Sequence, residues 1–307
     1  MKQSALQHIV DIESLSQEQL DSILELALEI ARNPGAFANR LDRRLLINLF
    51  FEPSTRTRLS FEIAAKRLGM QVVNFWSESS SAVKGETLID TFHTLTAMGP
   101  DVIAIRHSRD GVVESMAAKA DTEVHIINAG DGSYQHPTQA LVDALTLKLA
   151  CGDLTPLTIT IAGDIAHSRV ARSAIDIFRK LAVAEIRLAG PEDLLPSDKI
   201  DGVKTYTDLD EAVTGADVIM MLRIQRERFG PAALPDENAY FESWGLTPQR
   251  LGLAANNCLV MHPGPVNRGV EIASEVADGD QSLIREQVRN GVFARMAVLL
   301  TLLKHSE

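Results

Sequence analysis

The chain has 307 residues, of which 45% are hydrophobic and 23% are charged, and its formal net charge at pH 7 is −11. Because this length exceeds what one hydrophobic core usually supports, we expect two domains. The acidic balance argues against a general nucleic-acid-binding surface, and no stretch approaches the roughly 20 apolar residues that a membrane-spanning helix needs.

The N-terminal segment and the cysteines bear on the cellular setting. Residues 1–33 predict an amphipathic helix with a capping box formed by Ser16 and Gln19, which is not the pattern of a secretory signal. The two cysteines, Cys151 and Cys258, lie in no metal-binding spacing and suggest no disulfide framework. We therefore expect a reduced, cytoplasmic protein.

Apolar runs alternate with helical patterns along the whole chain. This alternation predicts an α/β fold of two domains, each a parallel sheet with helices on both faces. In the first half the predicted strands are residues 45–51, 71–75, 102–106 and 124–128, and the predicted helices are 59–68, 87–98 and 110–119. The helix over 59–68 is expected to stop at Gly69.

The second half repeats the pattern after a predicted helix over residues 137–149 and a turn-rich stretch over 151–156. Its predicted elements are strands 157–162, 185–189, 218–222 and 259–261, a helix over 168–181, a long loop over 223–246 and a last helix over 282–304. The predicted domains are residues 1–147 and 148–281. Gly163 opens a segment that resembles a dinucleotide-binding unit but lacks Gly-x-Gly-x-x-Gly, so a nicotinamide cofactor is disfavoured.

The segment Glu52-Pro53-Ser54-Thr55-Arg56-Thr57-Arg58 lies where the first predicted strand gives way to a helix. Backbone N–H groups and the positive end of the helix dipole favour an anion at such a place. Hydroxyls and guanidinium groups next to them predict a phosphate site at Ser54, Thr55, Arg56 and Thr57. The alternative is a charged first helical turn with hydroxyl caps.

Three more positions are candidates because they follow predicted strands. Arg106 ends the third strand, His136 precedes the helix that begins at Pro137, and Gly264-Pro265 follows the last strand. Taken alone, each also fits a plain structural role: a solvated strand-end arginine, a capping histidine and a Pro-Gly-Pro turn.

Three motifs occur together and in order: residues 54–58, His136-Pro137-Thr138-Gln139 and His262-Pro263-Gly264-Pro265. They resemble the aspartate/ornithine carbamoyltransferase family. Lys84-Gly85-Glu86-Thr87 and the arginine-rich segment 223–228 favour the members that act on aspartate.

The resemblance implies transfer of a carbamoyl group from carbamoyl phosphate to L-aspartate, without cofactor or metal, in de novo pyrimidine synthesis. It implies that the first domain binds carbamoyl phosphate, that the second binds aspartate, and that the C-terminal helix, residues 282–307, packs back on the first domain. It assigns catalysis to Arg56, Thr57, Lys84, Arg106 and His136. It assigns substrate binding to these five together with Ser54, Thr55, Ser80, Gln139, Arg169, Arg223, Gln225, Gly264 and Pro265.

The implied assembly is a homotrimer in which Ser80 and Lys84 reach the site of a neighbouring subunit. Association with regulatory or dihydroorotase-like subunits stays open. The alternatives are a carbamoyltransferase for another amino acid such as ornithine, and a non-catalytic subunit of the same fold. Against ornithine, the chain has His262-Pro263-Gly264-Pro265 where those enzymes carry His-Cys-Leu-Pro. Against the non-catalytic subunit, the full set of donor-site residues is present.

Overall fold

The structure, a computed structural model, describes residues 6–76, 87–224 and 236–303 of the chain. These residues form two compact units. Unit 1 is Met1–Leu145 with Val288–Glu307, and unit 2 is Thr146–Gln287. In the described ranges, no helix combines the length and the apolar character that crossing a membrane requires.

Unit 1 is built on a parallel sheet. Its elements within the described residues are α1 (Gln17–Arg32), β1 (Leu45–Phe50), α2 (Thr55–Arg67), β2 (Gln71–Trp76), α3 (Leu88–Thr96), β3 (Val102–His107), α4 (Val112–Ala117) and β4 (His125–Asp131), with a short 3-10 helix at Pro34–Phe37. Helix α5 (Pro137–Cys151) begins in this unit, and most of α11 (Ile284–Leu303) belongs to it.

The described strands of unit 1 lie in the order β2-β1-β3-β4, with every pair parallel. Strand β1 reads Leu-Leu-Ile-Asn-Leu-Phe and is buried along nearly its whole length, as a central parallel strand covered on both faces should be. On one face Ile47, Leu49 and Ile105 pack against Phe92 of α3 and Val113 of α4. The carboxyl ends of β1, β3 and β4 therefore lie at one edge, where the candidate residues of this unit follow them.

Unit 2 also contains a parallel sheet, with the described strands in the order β7-β6-β5-β8-β9. The elements are β5 (Thr158–Ala162), α6 (Arg169–Lys180), β6 (Glu185–Ala189), β7 (Val203–Tyr206), α7 (Leu209–Val213), β8 (Val218–Met221), α8 (Glu237–Trp244), α9 (Pro248–Leu251), β9 (Leu259–Met261) and α10 (Ser274–Ala277), with a 3-10 helix at Glu192–Leu194. Its core joins the sheet to α7 and α10.

These sheets confirm the predicted fold class, and several local predictions are also confirmed. Ser16 and Gln19 form the expected capping box at the start of α1. Gly69, whose φ of +85° is left-handed, follows the end of α2 as expected. The return of the C-terminal helix to unit 1 is confirmed too, because Arg295 of α11 contacts Thr138 and the ring of Phe61 in that unit.

Three sequence predictions are wrong in detail. Helix α2 begins at Thr55 rather than at residue 59, because the hydroxyl and arginine residues form its first turn after the N-cap residue Ser54. The predicted loop over 223–246 contains α8, which starts after Asp236 with Glu237 in its first turn and ends before Gly245. Strand β7 was missed because it is a short edge strand whose Lys204 and Thr205 are exposed.

Candidate functional site

The first turn of α2 carries the predicted anion site. Ser54 is the N-cap residue, its backbone is extended, and its hydroxyl makes no capping hydrogen bond to the helix. The first N–H groups of a helix have no acceptor within the helix, so they are available to an anion. Thr55 and Arg56 are exposed, whereas the Thr57 side chain is buried. The turn thus offers backbone donors, hydroxyls and a guanidinium within four consecutive residues.

Arg106 is fixed by groups from two neighbouring strands. Its Nη2 atom lies 2.6 Å from Oε1 of Glu52, just after β1, and its Nη1 atom donates to the Ala129 carbonyl of β4 at 3.2 Å. Only 14% of the Arg106 side chain is exposed. A charge-assisted hydrogen bond of this kind is stronger than a neutral one and limits the rotation of the guanidinium. Arg106 is therefore held at the carboxyl edge of the sheet, two residues along the chain from Ser54 through Glu52.

His136 and Gln139 stand at the start of α5. His136 is buried, and its carbonyl accepts the Gln139 N–H at 2.9 Å. The Nε2 atom of Gln139 donates to Oδ1 of Asp143, one helical turn further on, also at 2.9 Å. Since Asp143 takes the amide nitrogen, the Oε1 atom of Gln139 is the end presented as an acceptor. An acceptor at this point suits a ligand that carries an N–H2 group.

Arg295 of α11 supports both α2 and α5 from beneath. Its guanidinium carbon lies 5.0 Å from the ring centre of Phe61 in α2, and Nη2 donates to the Thr138 hydroxyl at 3.4 Å. Nη1 donates to the Gly291 carbonyl at 2.9 Å. Burial lowers the pKa of Arg295 to about 10, against the opposing effect of Asp143, so the side chain keeps its charge at neutral pH. This buried cation joins the helices that carry the anion turn and Gln139.

The candidate residues of unit 2 also stand near the ends of its strands. Arg169 is the first residue of α6, and its side chain is buried. Ser168 caps this helix by accepting the Ala171 N–H at 3.2 Å. Half-buried Arg223 lies two residues after β8, at a point where the Leu222 N–H donates to the Ala162 carbonyl at the end of β5. The two arginines thus follow two adjacent strands, as a site for anionic groups requires.

Gly264 and Pro265 form a turn directly after β9. The φ of Gly264 is +69°, in the left-handed region that favours glycine. The Gly264 N–H donates to Nδ1 of His262 at 2.8 Å. The turn is therefore held by a side chain of the motif itself, rather than by the backbone alone.

Three predicted site residues, Ser80, Lys84 and Gln225, lie outside the described residues. Sequence reasoning also missed residues that the structure shows behind the site. Glu52 was detectable as the first residue of the anion motif, and Asp143 as an acidic residue four positions after Gln139. Arg295 gave no signal, since its partners lie far away in the sequence. Within the described ranges, no three His, Cys, Asp or Glu side chains are grouped so that they could hold a metal ion.

Comparison with known families identifies this arrangement. A model of the carbamoyl-P binding domain of aspartate/ornithine carbamoyltransferase matches residues 7–149, and a model of the Asp/Orn binding domain matches residues 155–302. The chain belongs to the aspartate/ornithine carbamoyltransferase family. The resemblance predicted from the three motifs is thereby confirmed.

Individual carbamoyltransferases are similar over almost the full length. The chain is 51% identical to the aspartate carbamoyltransferase catalytic subunit of Methylorubrum populi, over 97% of this chain and 95% of that protein. It is 50% identical to the same subunit of Gluconobacter oxydans, over 96% and 95%. The aspartate transcarbamoylase of Trypanosoma cruzi in complex with N-(phosphonacetyl)-L-aspartic acid superimposes with a TM-score of 0.88 at 33% identity, covering 97% of this chain and 96% of that one.

Replacing Arg56 by alanine tests the anion turn of α2. The change removes a charge-assisted contact worth roughly 1.5–3 kcal/mol, so the affinity for inorganic phosphate should fall more than tenfold. Isothermal titration with phosphate measures this loss. Lys66→Ala is the matched control, because it removes a cation from the other end of the same helix, where Lys66 pairs with Glu62 at 2.6 Å. Equal affinity of Arg56→Ala and wild type would exclude the anion turn.

Proposed function

We propose that this chain transfers the carbamoyl group of carbamoyl phosphate to L-aspartate, forming N-carbamoyl-L-aspartate and phosphate. The observation that carries the proposal is the identity of about half of all residues, over nearly the whole chain, with proteins named aspartate carbamoyltransferase catalytic subunit. The proposal extends to de novo pyrimidine synthesis as the pathway and to the cytoplasm as the setting.

The donor is assigned to residues of unit 1. Ser54, Thr55, Arg56 and Thr57 bind the phosphate group at the start of α2, and Arg106, fixed by Glu52, adds a second guanidinium. His136 and Thr57 stabilise the negative charge that develops on the carbonyl oxygen when the amine attacks. The Oε1 atom of Gln139 accepts a hydrogen bond from the carbamoyl N–H2 group, an orientation that the bond to Asp143 supports. The backbone at Gly264 and Pro265 in unit 2 contacts the same group.

The acceptor is assigned to Arg169, Arg223 and Gln225, since guanidinium groups suit the two carboxylates of aspartate. The neutral amine of aspartate attacks the carbonyl carbon and forms a C–N bond. The C–O bond to phosphate then breaks, phosphate leaves with the bonding electron pair, and the amine nitrogen loses a proton. The residues contribute by positioning two anions and stabilising charge, and neither a covalent intermediate on the protein nor a metal is needed.

Steady-state assays with aspartate and ornithine, each with carbamoyl phosphate, test the acceptor. We expect turnover with aspartate and a kcat/KM for ornithine more than about 100-fold lower, because an arginine site for carboxylates disfavours a cationic side chain. In Arg223→Ala, the KM for aspartate should rise far more than the KM for carbamoyl phosphate. Preference for ornithine would overturn the proposed acceptor, and equal damage to both substrates would remove Arg223 from the acceptor side.

A homotrimer with shared sites is part of the proposal. Leu59 and Ile63 on α2 are 44% and 43% exposed, and Val73 on β2 is 49% exposed. Strand β2 lies at one edge of the described sheet of unit 1 and leads into the segment that contains Ser80 and Lys84. Exposed apolar residues beside an edge strand are typical of a subunit interface. They support an interface from which Ser80 and Lys84 enter the site of the adjacent subunit.

Mixing two inactive variants tests the shared site. Arg56→Ala and Lys84→Ala chains should each have very low activity alone, since every site lacks one of the two cations. After dissociation and random reassembly at equal amounts, about one quarter of the sites should combine Arg56 of one chain with Lys84 of its neighbour. Activity should therefore return in part, as an initial-rate assay would show. Each variant dissociated and reassembled alone is the control, and confirmed mixed oligomers without activity would contradict shared sites.

A further inference from the structure

The turn that contains Gly264 is closed by a buried histidine–glutamate pair to which the proposed reaction assigns no role. His262 is 1% exposed and Glu271 is fully buried, and Nε2 of His262 lies 3.1 Å from Oε1 of Glu271. A buried carboxylate is costly unless it is hydrogen-bonded, so this pair has to be satisfied by specific partners. The partners that satisfy it belong to the turn.

The hydrogen bonds of His262 determine where its ring carries the proton. Nδ1 lies 2.8 Å from the Gly264 nitrogen, and a backbone N–H can only donate, so Nδ1 is the acceptor. The proton of the neutral ring is then on Nε2, which donates to Glu271. The imidazole thus transmits the position of the Glu271 carboxylate to the backbone of Gly264.

Glu271 also fixes the far end of the same turn. The oxygen that accepts from His262 accepts the Asn267 N–H at 2.5 Å as well. The backbone of Glu271 is itself anchored, because its carbonyl accepts the Leu246 N–H at 3.0 Å. The His262 N–H donates to Oε1 of Gln287 at 2.9 Å. The carbonyls of Gly264 and Pro265 therefore lie between two backbone positions, 264 and 267, that are held by one carboxylate oxygen.

We propose that His262 and Glu271 are positioning residues that orient the Gly264–Pro265 backbone toward the carbamoyl group of the donor. This inference rests on the proposed function, which assigns that backbone to the carbamoyl N–H2. The pair acts on the transferred group rather than on the phosphate, because phosphate is assigned to the α2 turn of unit 1. Loss of the pair should accordingly reduce kcat while leaving phosphate affinity unchanged.

Two substitutions of Glu271 separate the hydrogen bonds from the rest of the side chain. Glu271→Gln keeps an oxygen that can accept from both His262 and Asn267, so it should retain most of the activity. Glu271→Leu has a similar volume but no acceptor, and its kcat should fall more than about tenfold. Inorganic phosphate affinity, measured by titration calorimetry, should stay within about twofold of wild type in both variants, which shows that the fold persists.

Two substitutions of His262 provide an independent test if Glu271→Leu does not fold. In His262→Asn, the side-chain oxygen can accept the N–H two residues ahead, as in an Asx turn, so the bond to Gly264 is kept while the bond to Glu271 is lost. His262→Ala loses both. We expect kcat to decrease in the order wild type, His262→Asn, His262→Ala, with phosphate affinity unchanged.

The outcomes distinguish this inference from the proposed function. Wild-type protein that does not carbamoylate aspartate would overturn the proposed function itself. Active wild type with an unchanged kcat in Glu271→Leu or His262→Ala would overturn the positioning role alone. A parallel loss of phosphate affinity and kcat in folded variants would also overturn it, since the pair would then support the whole protein rather than the carbamoyl contact.

Discussion

The guanidinium of Arg106 ties together the edge of the sheet on which the candidate donor site depends. It belongs to β3, contacts Glu52 just after β1, and donates to Ala129 of β4. One side chain thus cross-links three neighbouring strands at their carboxyl ends, immediately before the N-terminal turn of α2. A cation that awaits an anionic ligand needs such partners, because a buried charge without hydrogen bonds is strongly destabilising. The same bonds orient the guanidinium before the ligand arrives, which reduces the entropy lost on binding.

Each unit contains buried polar groups directly behind the residues assigned to substrate. In unit 1, Asp143 orients the Gln139 amide, and Arg295 lies between Phe61 of α2 and Thr138 of α5. In unit 2, His262 and Glu271 close the turn of Gly264. A reaction that needs no covalent chemistry from the protein depends on the placement of donors and acceptors. Buried hydrogen bonds provide that placement, because their geometry tolerates little displacement.

The strand-to-helix anion turn could be predicted from sequence, since a continuous apolar run followed by hydroxyl and arginine residues is a local pattern. The start of α2 was misplaced by four residues because its polar first turn lacks the apolar periodicity that reveals a helix. Arg295 could not be predicted, since its environment is formed by residues more than 150 positions earlier in the chain. Gln139 was identified through its motif, but which end of its amide faces a ligand follows only from its hydrogen bond to Asp143.

The central claim is that donor and acceptor residues serve one reaction on this chain. N-(phosphonacetyl)-L-aspartic acid, the compound in the Trypanosoma cruzi complex, joins a phosphonate to an aspartate and tests this claim by its affinity. Competition calorimetry should show that it binds at least about 100-fold more tightly than phosphate or succinate alone, because linking two groups that fit one site makes the second contact intramolecular. An affinity no higher than that of phosphate would contradict a single site for both substrates.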